Sequence, residues 1–113
     1  MNACSSGGQH LFTFGDWSGP ESGQLCNSAL VQLSTTVPVQ TKAGCHSPTS
    51  NYAGVFDLTG NVGEWEDSCD SGDLCHVRGG SFEKSVQTDL GCGANRSLPR
   101  NSVAPDVGFR CCD

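Results

Sequence analysis

The residues of this sequence with the most chemistry to offer are eight cysteines: Cys4, Cys26, Cys45, Cys69, Cys75, Cys92, Cys111 and Cys112. Thiols serve either as disulfide halves or as soft metal ligands. Structural zinc asks for closely paired Cys-x2–4-Cys or His-x3–5-His spacing. The nearest non-adjacent pair here, Cys69 and Cys75, is separated by five residues, and His10, His46 and His76 lie far apart. The spacing favours disulfides over zinc, and an even number of cysteines at this density points to an oxidising compartment. The second reactive group is acidic: Glu64, Glu66, Asp67, Asp70 and Asp73 fall within ten residues. Such a run is either a solvated loop or a place for bound cations. The histidines have no Ser or Cys placed to suggest a triad.

A small and thinly hydrophobic chain has to position these groups. Its 113 residues leave room for one domain. Hydrophobic residues make up 35%, below the usual share of about 45–50%, and 15 Gly with 5 Pro favour loops and tight turns. A core of that size needs help against the ordering entropy of the chain. Residues 10–14, 30–39 and 54–58 carry β-branched and aromatic residues in short runs bounded by turn formers, which predicts short strands. A turn at Thr59-Gly60-Asn61 follows the last of them. His76-Val77-Arg78 precedes Gly79-Gly80, a pair suited to a tight turn or a close backbone approach. Nothing sustains a 3.6-residue period, so any helix is short. The residues alone therefore predict a loop-rich, β-leaning domain stapled by disulfides.

Charge excludes several function classes. The net charge is −6, and Lys42, Arg78, Lys84, Arg96, Arg100 and Arg110 form no cluster. Nucleic acid and anionic membrane surfaces are thus not expected partners. No stretch is apolar and long enough to enter a membrane, and the opening MNACSSGG has neither a basic nor an apolar signal region. The cysteines nevertheless argue for export to the periplasm, the cell surface or the medium, with the signal upstream of this sequence.

The most informative stretch is residues 54–82, GVFDLTGNVGEWEDSCDSGDLCHVRGGSF. Its order of G-N-V-x-E-W and then R-G-G-S-aromatic resembles the signature of the formylglycine-generating-enzyme, or sulfatase-modifying-factor, family. Gly108-Phe109-Arg110-Cys111 is similar to that family's closing G-F-R-C. Near the start, Ala3-Cys4 with Gly7-Gly8, then Phe14-Gly15-Asp16 and Cys26-Asn27, resemble its A-C-x-G-G, W-G-D/N and A/C-N segments. The resemblance implies an α+β, C-type-lectin-like fold that is loop-rich, with short strands, few helices and several disulfides. In the family the A-C-x-G-G segment follows a helix, and Met1 stands where that helix would already have ended. Residues 1–113 are thus expected to be the C-terminal part of such a domain.

The activity the resemblance implies is oxidation of a sulfatase cysteine to formylglycine by oxygen and Cu(I) held on two thiolates. Soft Cu(I) selects sulfur, and carboxylates do not substitute well. The matching positions fall near Lys84 and Asp89, and no cysteine occurs between Cys75 and Cys92. Copper is therefore not expected, and the chain reads as a non-catalytic module. The alternative is a formylglycine-generating oxidase or a fragment of one. By the same resemblance Cys4 pairs with Cys92, while Cys111 matches a cysteine whose partner lies upstream. Cys69 and Cys75 flank a short acidic loop as a local pair, and Cys26 with Cys45 follows. Eight cysteines allow 105 connectivities, and Cys112 has no evident partner.

Calcium is the metal that the resemblance implies. The family's motif fits residues 57–64, with the carboxylates of Asp57 and Glu64 and the main-chain carbonyls of Gly60 and Val62 as ligands. Such a set of hard oxygens around a Gly-containing turn suits Ca²⁺. Gly63 departs from the Trp that the family usually places before the Glu. A second family site would begin at Asn27, but Leu33-Ser34-Thr35-Thr36 supplies no carboxylate for it. Arg78 and Arg110 are expected to make structural hydrogen bonds. The polar, Gly/Pro/Asn-rich segment 82–107 is the expected contact surface for a protein or glycan ligand. Together these readings describe a calcium-stabilised, disulfide-rich, lectin-like binding or structural module of an exported protein.

Overall fold

A β-hairpin organises the chain. The computed structural model describes residues 2–111. In it β1 (Gly63–Cys69) runs antiparallel to β2 (Leu74–Arg78), with Glu64 opposite Arg78, Trp65 opposite Val77 and Cys69 opposite Cys75. The turn between them is built by one side chain. Asp70 Oδ1 accepts the amides of Gly72 at 2.8 Å and Leu74 at 3.0 Å, and Asp73 takes the left-handed region at φ 60°. Aspartate suits both jobs, since its short carboxylate reaches its own backbone and tolerates positive φ. A bulge between Trp65 and Cys69 bends β1.

The other strands are gathered onto this hairpin. β3 (Asn95–Pro99) pairs antiparallel with β2, and the two-residue β4 (Val107–Gly108) pairs parallel with β1, giving the order β3-β2-β1-β4. β2 alternates buried and less buried positions, with Cys75 and Val77 inward, as a strand with one covered face must. Among the described residues helix is confined to α1 (Pro20–Gly23), α2 (Gln87–Leu90) and two three-residue 3-10 turns at Ala29–Val31 and Ser50–Tyr52.

The core is as thin as composition predicts. Among the described residues the buried apolar ones are Cys4, Phe12, Cys26, Cys45, Cys75, Val77, Phe82, Leu90 and Cys92, so cysteines outnumber all the others. Disulfides join Cys4 to Cys92, Cys26 to Cys45 and Cys69 to Cys75. Cys111 is free and exposed, and Cys112 lies outside the described residues. Hydrogen-bonded polar pairs fill much of the remaining interior, including Ser6 with Ser47 at 2.6 Å and the Thr13 amide on Thr59 Oγ1 at 3.1 Å. The radius of gyration is 13.2 Å, close to the roughly 13 Å of a compact domain of this length.

The strands do not fall where the apolar runs predict. Residues 10–14 form a turn closed by a single bridge from Phe12 to Gly15, and in 54–58 the strand pairing amounts to an isolated bridge from Phe56 to His46. Residues 30–39 begin in a 3-10 turn and then run irregularly. The reason is visible at Asn61. Its side-chain Oδ1 accepts the Val37 amide at 3.0 Å, and its Nδ2 donates to the Val37 carbonyl at 3.0 Å. A side-chain amide thus takes both backbone groups that a neighbouring strand would otherwise use. In 54–58, Asp57 at φ 58° breaks the extended path. The segment 82–107 is likewise not loop throughout, because it contributes α2 and β3.

Candidate functional site

The acidic run does not become a cation cage. Glu66 accepts from Arg78 Nε at 2.8 Å, Asp73 pairs with Arg100 at 3.2 Å, and Asp70 is spent on its turn. Among the described residues no three His, Cys, Asp or Glu side chains gather as a metal cluster. Arg78 and Arg110 both make the structural bonds expected of them.

Asp57 and Glu64 have different surroundings. Asp57 is buried, and its Oδ2 accepts the Gln40 amide at 2.9 Å while its Oδ1 has no partner. Burial pushes this carboxyl above its ordinary pKa; the Gln40 amide and the nearby Arg110 charge partly offset that. Glu64 Oε1 instead accepts from Arg110 Nε at 3.0 Å and Nη2 at 2.8 Å, and Nη2 also reaches the Phe56 carbonyl at 3.0 Å. The intervening turn places Gly60 at φ 79° and Asn61 at φ 62°. A β-carbon on Gly60 would lie 2.5 Å from the Asn27 carbonyl, so the turn admits no side chain there.

These residues fit a hard cation in part. Asp57 Oδ1 is a buried oxygen without a donor, the kind of acceptor that a bound ion satisfies. Glu64 is already neutralised, so a cation there has to share it with Arg110. At the second family position, Asn27 is fully buried and its Nδ2 donates to Thr35 O at 2.9 Å and Asn61 Oδ1 at 3.0 Å, with its own Oδ1 unpartnered. Without a carboxylate beside it, Asn27 acts as a loop tie. Gly63 is explained by packing, because a β-carbon there would meet Val77 Cγ1 at 2.7 Å.

Lys84 and Asp89 come together on one cavity of about 160 Å³, together with Ser81, Thr88, Asn95 and Arg96. Gly80 makes this possible. A β-carbon there would lie 2.6 Å from the Asp89 carbonyl, and only a bare backbone lets α2 settle this close to the end of β2. Gly79, at φ 75°, makes the turn itself. Arg96 is anchored from β3 by Nη2 to Asp106 Oδ2 at 2.6 Å, and Ser81 Oγ donates to the same oxygen at 3.1 Å. Lys84 and Asp89, although on one cavity, make no ion pair among the described residues. Sequence reasoning overlooked Asp106 and read Asn61 only as a turn residue, because a polar side chain in a loop gives no sign of burial. A broader cavity of about 490 Å³ lies over Leu11, Phe12 and Trp17. Phe12 is buried against Phe14 and Trp17, at centroid separations of 5.2 and 5.5 Å.

Comparison with known proteins agrees with this architecture. A family model described as the sulfatase-modifying factor enzyme 1-like domain matches residues 1–113. No curated protein matches the chain. Among solved structures, the fold is similar to Treponema denticola variable protein 1, with a TM-score of 0.69 and 18% identity over 95% of this chain. The match spans 42% of that protein's length. The likeness carries the α+β, C-type-lectin-like fold expected from the motifs.

Proposed function

The chain belongs to the sulfatase-modifying factor enzyme 1-like family, and from that premise we propose that it is a non-catalytic, calcium-stabilised binding module of an exported protein. The observation that carries the reading is the content of the cavity at Lys84 and Asp89. Near the positions where the family resemblance calls for two thiolates, this chain has Lys84 and Asp89. Neither is a soft donor, so Cu(I) has no thiolate pair there to bind. Six of the eight cysteines are tied into disulfides.

The same substitution supports a binding role. A cavity emptied of its redox ligands but still lined by charged and polar groups retains the means to hold a ligand. Its walls come from residues 79–96, within and beside the segment 82–107 expected to contact a protein or glycan partner. Calcium would be held by Asp57 and Glu64 with the carbonyls of Gly60 and Val62, and would supply positive charge to the unpartnered Asp57 Oδ1. Three disulfides in so small a chain suit an oxidising compartment, and no helix among the described residues is long and apolar enough to cross a membrane.

The test is oxidation of a Cys-x-Pro-x-Arg peptide by folded, disulfide-intact protein supplied with Cu(I) and oxygen. No formylglycine is expected at any copper level. Turnover that depends on copper would replace this reading with the oxidase.

A further inference from the structure

The charged groups lining the cavity specify its ligand more closely. All four arginines are matched to carboxylates: Arg78 to Glu66, Arg96 to Asp106, Arg100 to Asp73 and Arg110 to Glu64. Lys84 has no such partner among the described residues, yet it is half-buried and lines the cavity. Asp89 is exposed and lines the same cavity, with only the Thr88 hydroxyl, at 3.4 Å, on its Oδ1. Two opposite charges on one small cavity that do not meet each other leave room for a ligand that meets both.

From this arrangement we propose that the cavity binds the head group of a free α-amino acid. The carboxylate faces Lys84 and the N–H groups of Arg96 that Asp106 does not take, and the ammonium faces Asp89. Arg96 is suited to this role, because Asp106 fixes its plane through Nη2 and leaves other donors of the fork free. Volume agrees: about 160 Å³ equals the share of about five liquid waters, the scale of one nitrogen, one α-carbon and one carboxylate. Charge also agrees. A protein of net charge −6 repels free anions at long range, whereas a zwitterion carries no net charge and loses nothing on approach. A chain terminus offers only one of the two charges, and the cavity supplies partners for both.

The inference rests on the binding-module reading and names its ligand class. It is tested by calorimetric titration of the intact chain with L-alanine, N-acetyl-L-alanine, L-alaninamide and acetate. L-Alanine is expected to saturate one site, with each singly charged analogue binding about tenfold more weakly or worse, since each lost charge contact is worth on the order of one decade in affinity. Lys84→Gln and Asp89→Asn should each cost a similar factor while leaving the melting temperature unchanged. Acetate binding as tightly as L-alanine, with Asp89→Asn silent, would reduce the site to a carboxylate subsite and overturn the proposal. So would the absence of any saturable heat with L-alanine on folded protein. The two readings fail separately: peptide oxidation by copper removes the non-catalytic assignment whatever the titration gives, and a blank titration with no oxidation removes only the amino-acid ligand.

Discussion

Arg110 Nη2 lies 2.8 Å from Glu64 Oε1 and 3.0 Å from the Phe56 carbonyl, so a residue near the end of the chain clamps the start of β1 to the segment leading into Asp57. Its charge also reaches Asp57 and holds that buried carboxyl lower than burial alone would. The guanidinium therefore does, without a metal, part of what a divalent cation would do at this turn. That relationship sets the first expectations for calcium.

Calcium should raise the melting temperature of the wild-type protein. An ion present at a hundred times its dissociation constant adds about 2.7 kcal/mol to a folded state that alone binds it, a shift of several degrees or more for a domain of this size. Asp57→Asn should abolish most of that gain. Arg110→Gln should destabilise the calcium-free protein and enlarge the gain, because Glu64 then has no other counter-charge. Differential scanning calorimetry in EDTA and in calcium separates these outcomes. An unchanged calcium response in Asp57→Asn would exclude this turn as the site.

In EDTA the ionisation of Asp57 should oppose folding. Its folded pKa is raised, so between the ordinary and raised values the folded chain holds a proton that the unfolded chain has lost. Stability from this group is full below its ordinary value, about pH 4, and falls as the pH rises through the raised value. Asp57→Asn should lack that component and be at least as stable as wild type at neutral pH. Denaturant melts of both proteins across the acidic range provide the comparison, and a less stable Asp57→Asn at neutral pH would contradict it.

The disulfides should differ in weight by the loops they close. Cys4–Cys92 spans 88 residues and Cys69–Cys75 spans 6. In the loop-entropy model these correspond to about 4–5 and about 2 kcal/mol. The double substitution Cys4→Ser, Cys92→Ser is expected to unfold the chain or nearly so, while Cys69→Ser, Cys75→Ser leaves a folded, less stable protein. Urea midpoints for the two pairs give the ranking. Equal losses would mean that strain or residual structure outweighs loop entropy.

Asp106 should matter more than its loop position suggests. Its carboxylate is nearly buried and holds both Arg96 Nη2 and Ser81 Oγ. Removing it leaves a partly buried guanidinium unpaired, at a cost of about 3 kcal/mol. Asp106→Ala is expected to show that loss in a urea melt, and also weaker ligand binding through a misdirected Arg96. A loss below about 1 kcal/mol, the scale of an exposed pair, would mean that solvent already screens the contact.

Restoring the Trp that the family usually carries before the Glu should fail here. Gly63→Trp drives a side chain into Val77 Cγ1, which a mere β-carbon already approaches to 2.7 Å. Overpacking of this kind costs on the order of 1–3 kcal/mol. Pairing it with Val77→Ala should recover part of the loss, which a double-mutant cycle on thermal stability reads directly.

Legibility in the sequence varied with how local the cause was. Tight turns were readable at Gly60 and Gly79, because positive φ leaves few residue choices. The need for covalent staples was readable from the apolar fraction, since a core in which cysteines outnumber the other buried apolar residues has little else to bury. The strands were not readable. β1 (GEWEDSC) resembles an acidic loop, and its extended form is held by register with β2 and by the Cys69–Cys75 bridge rather than by propensity. Residues 30–39 have the propensity without the partner, because the Asn61 amide supplies the bonds that a strand would have made.

The sequence by itself determined composition-level and motif-level properties: a loop-rich chain short of apolar residues, cysteines enough for disulfides, the absence of thiols near positions 84 and 89, and family membership through short ordered motifs. These follow from residue identity and spacing along the chain. Only the tertiary structure decided that Lys84 and Asp89 share a cavity without pairing, that Asp57 keeps an unpartnered oxygen while Glu64 is neutralised by a residue 46 positions away, and that the acidic run disperses into separate bonds. Each of those depends on what lies beside a group in space. Burial and counter-charge are set by contacts between distant segments, and no local pattern encodes them.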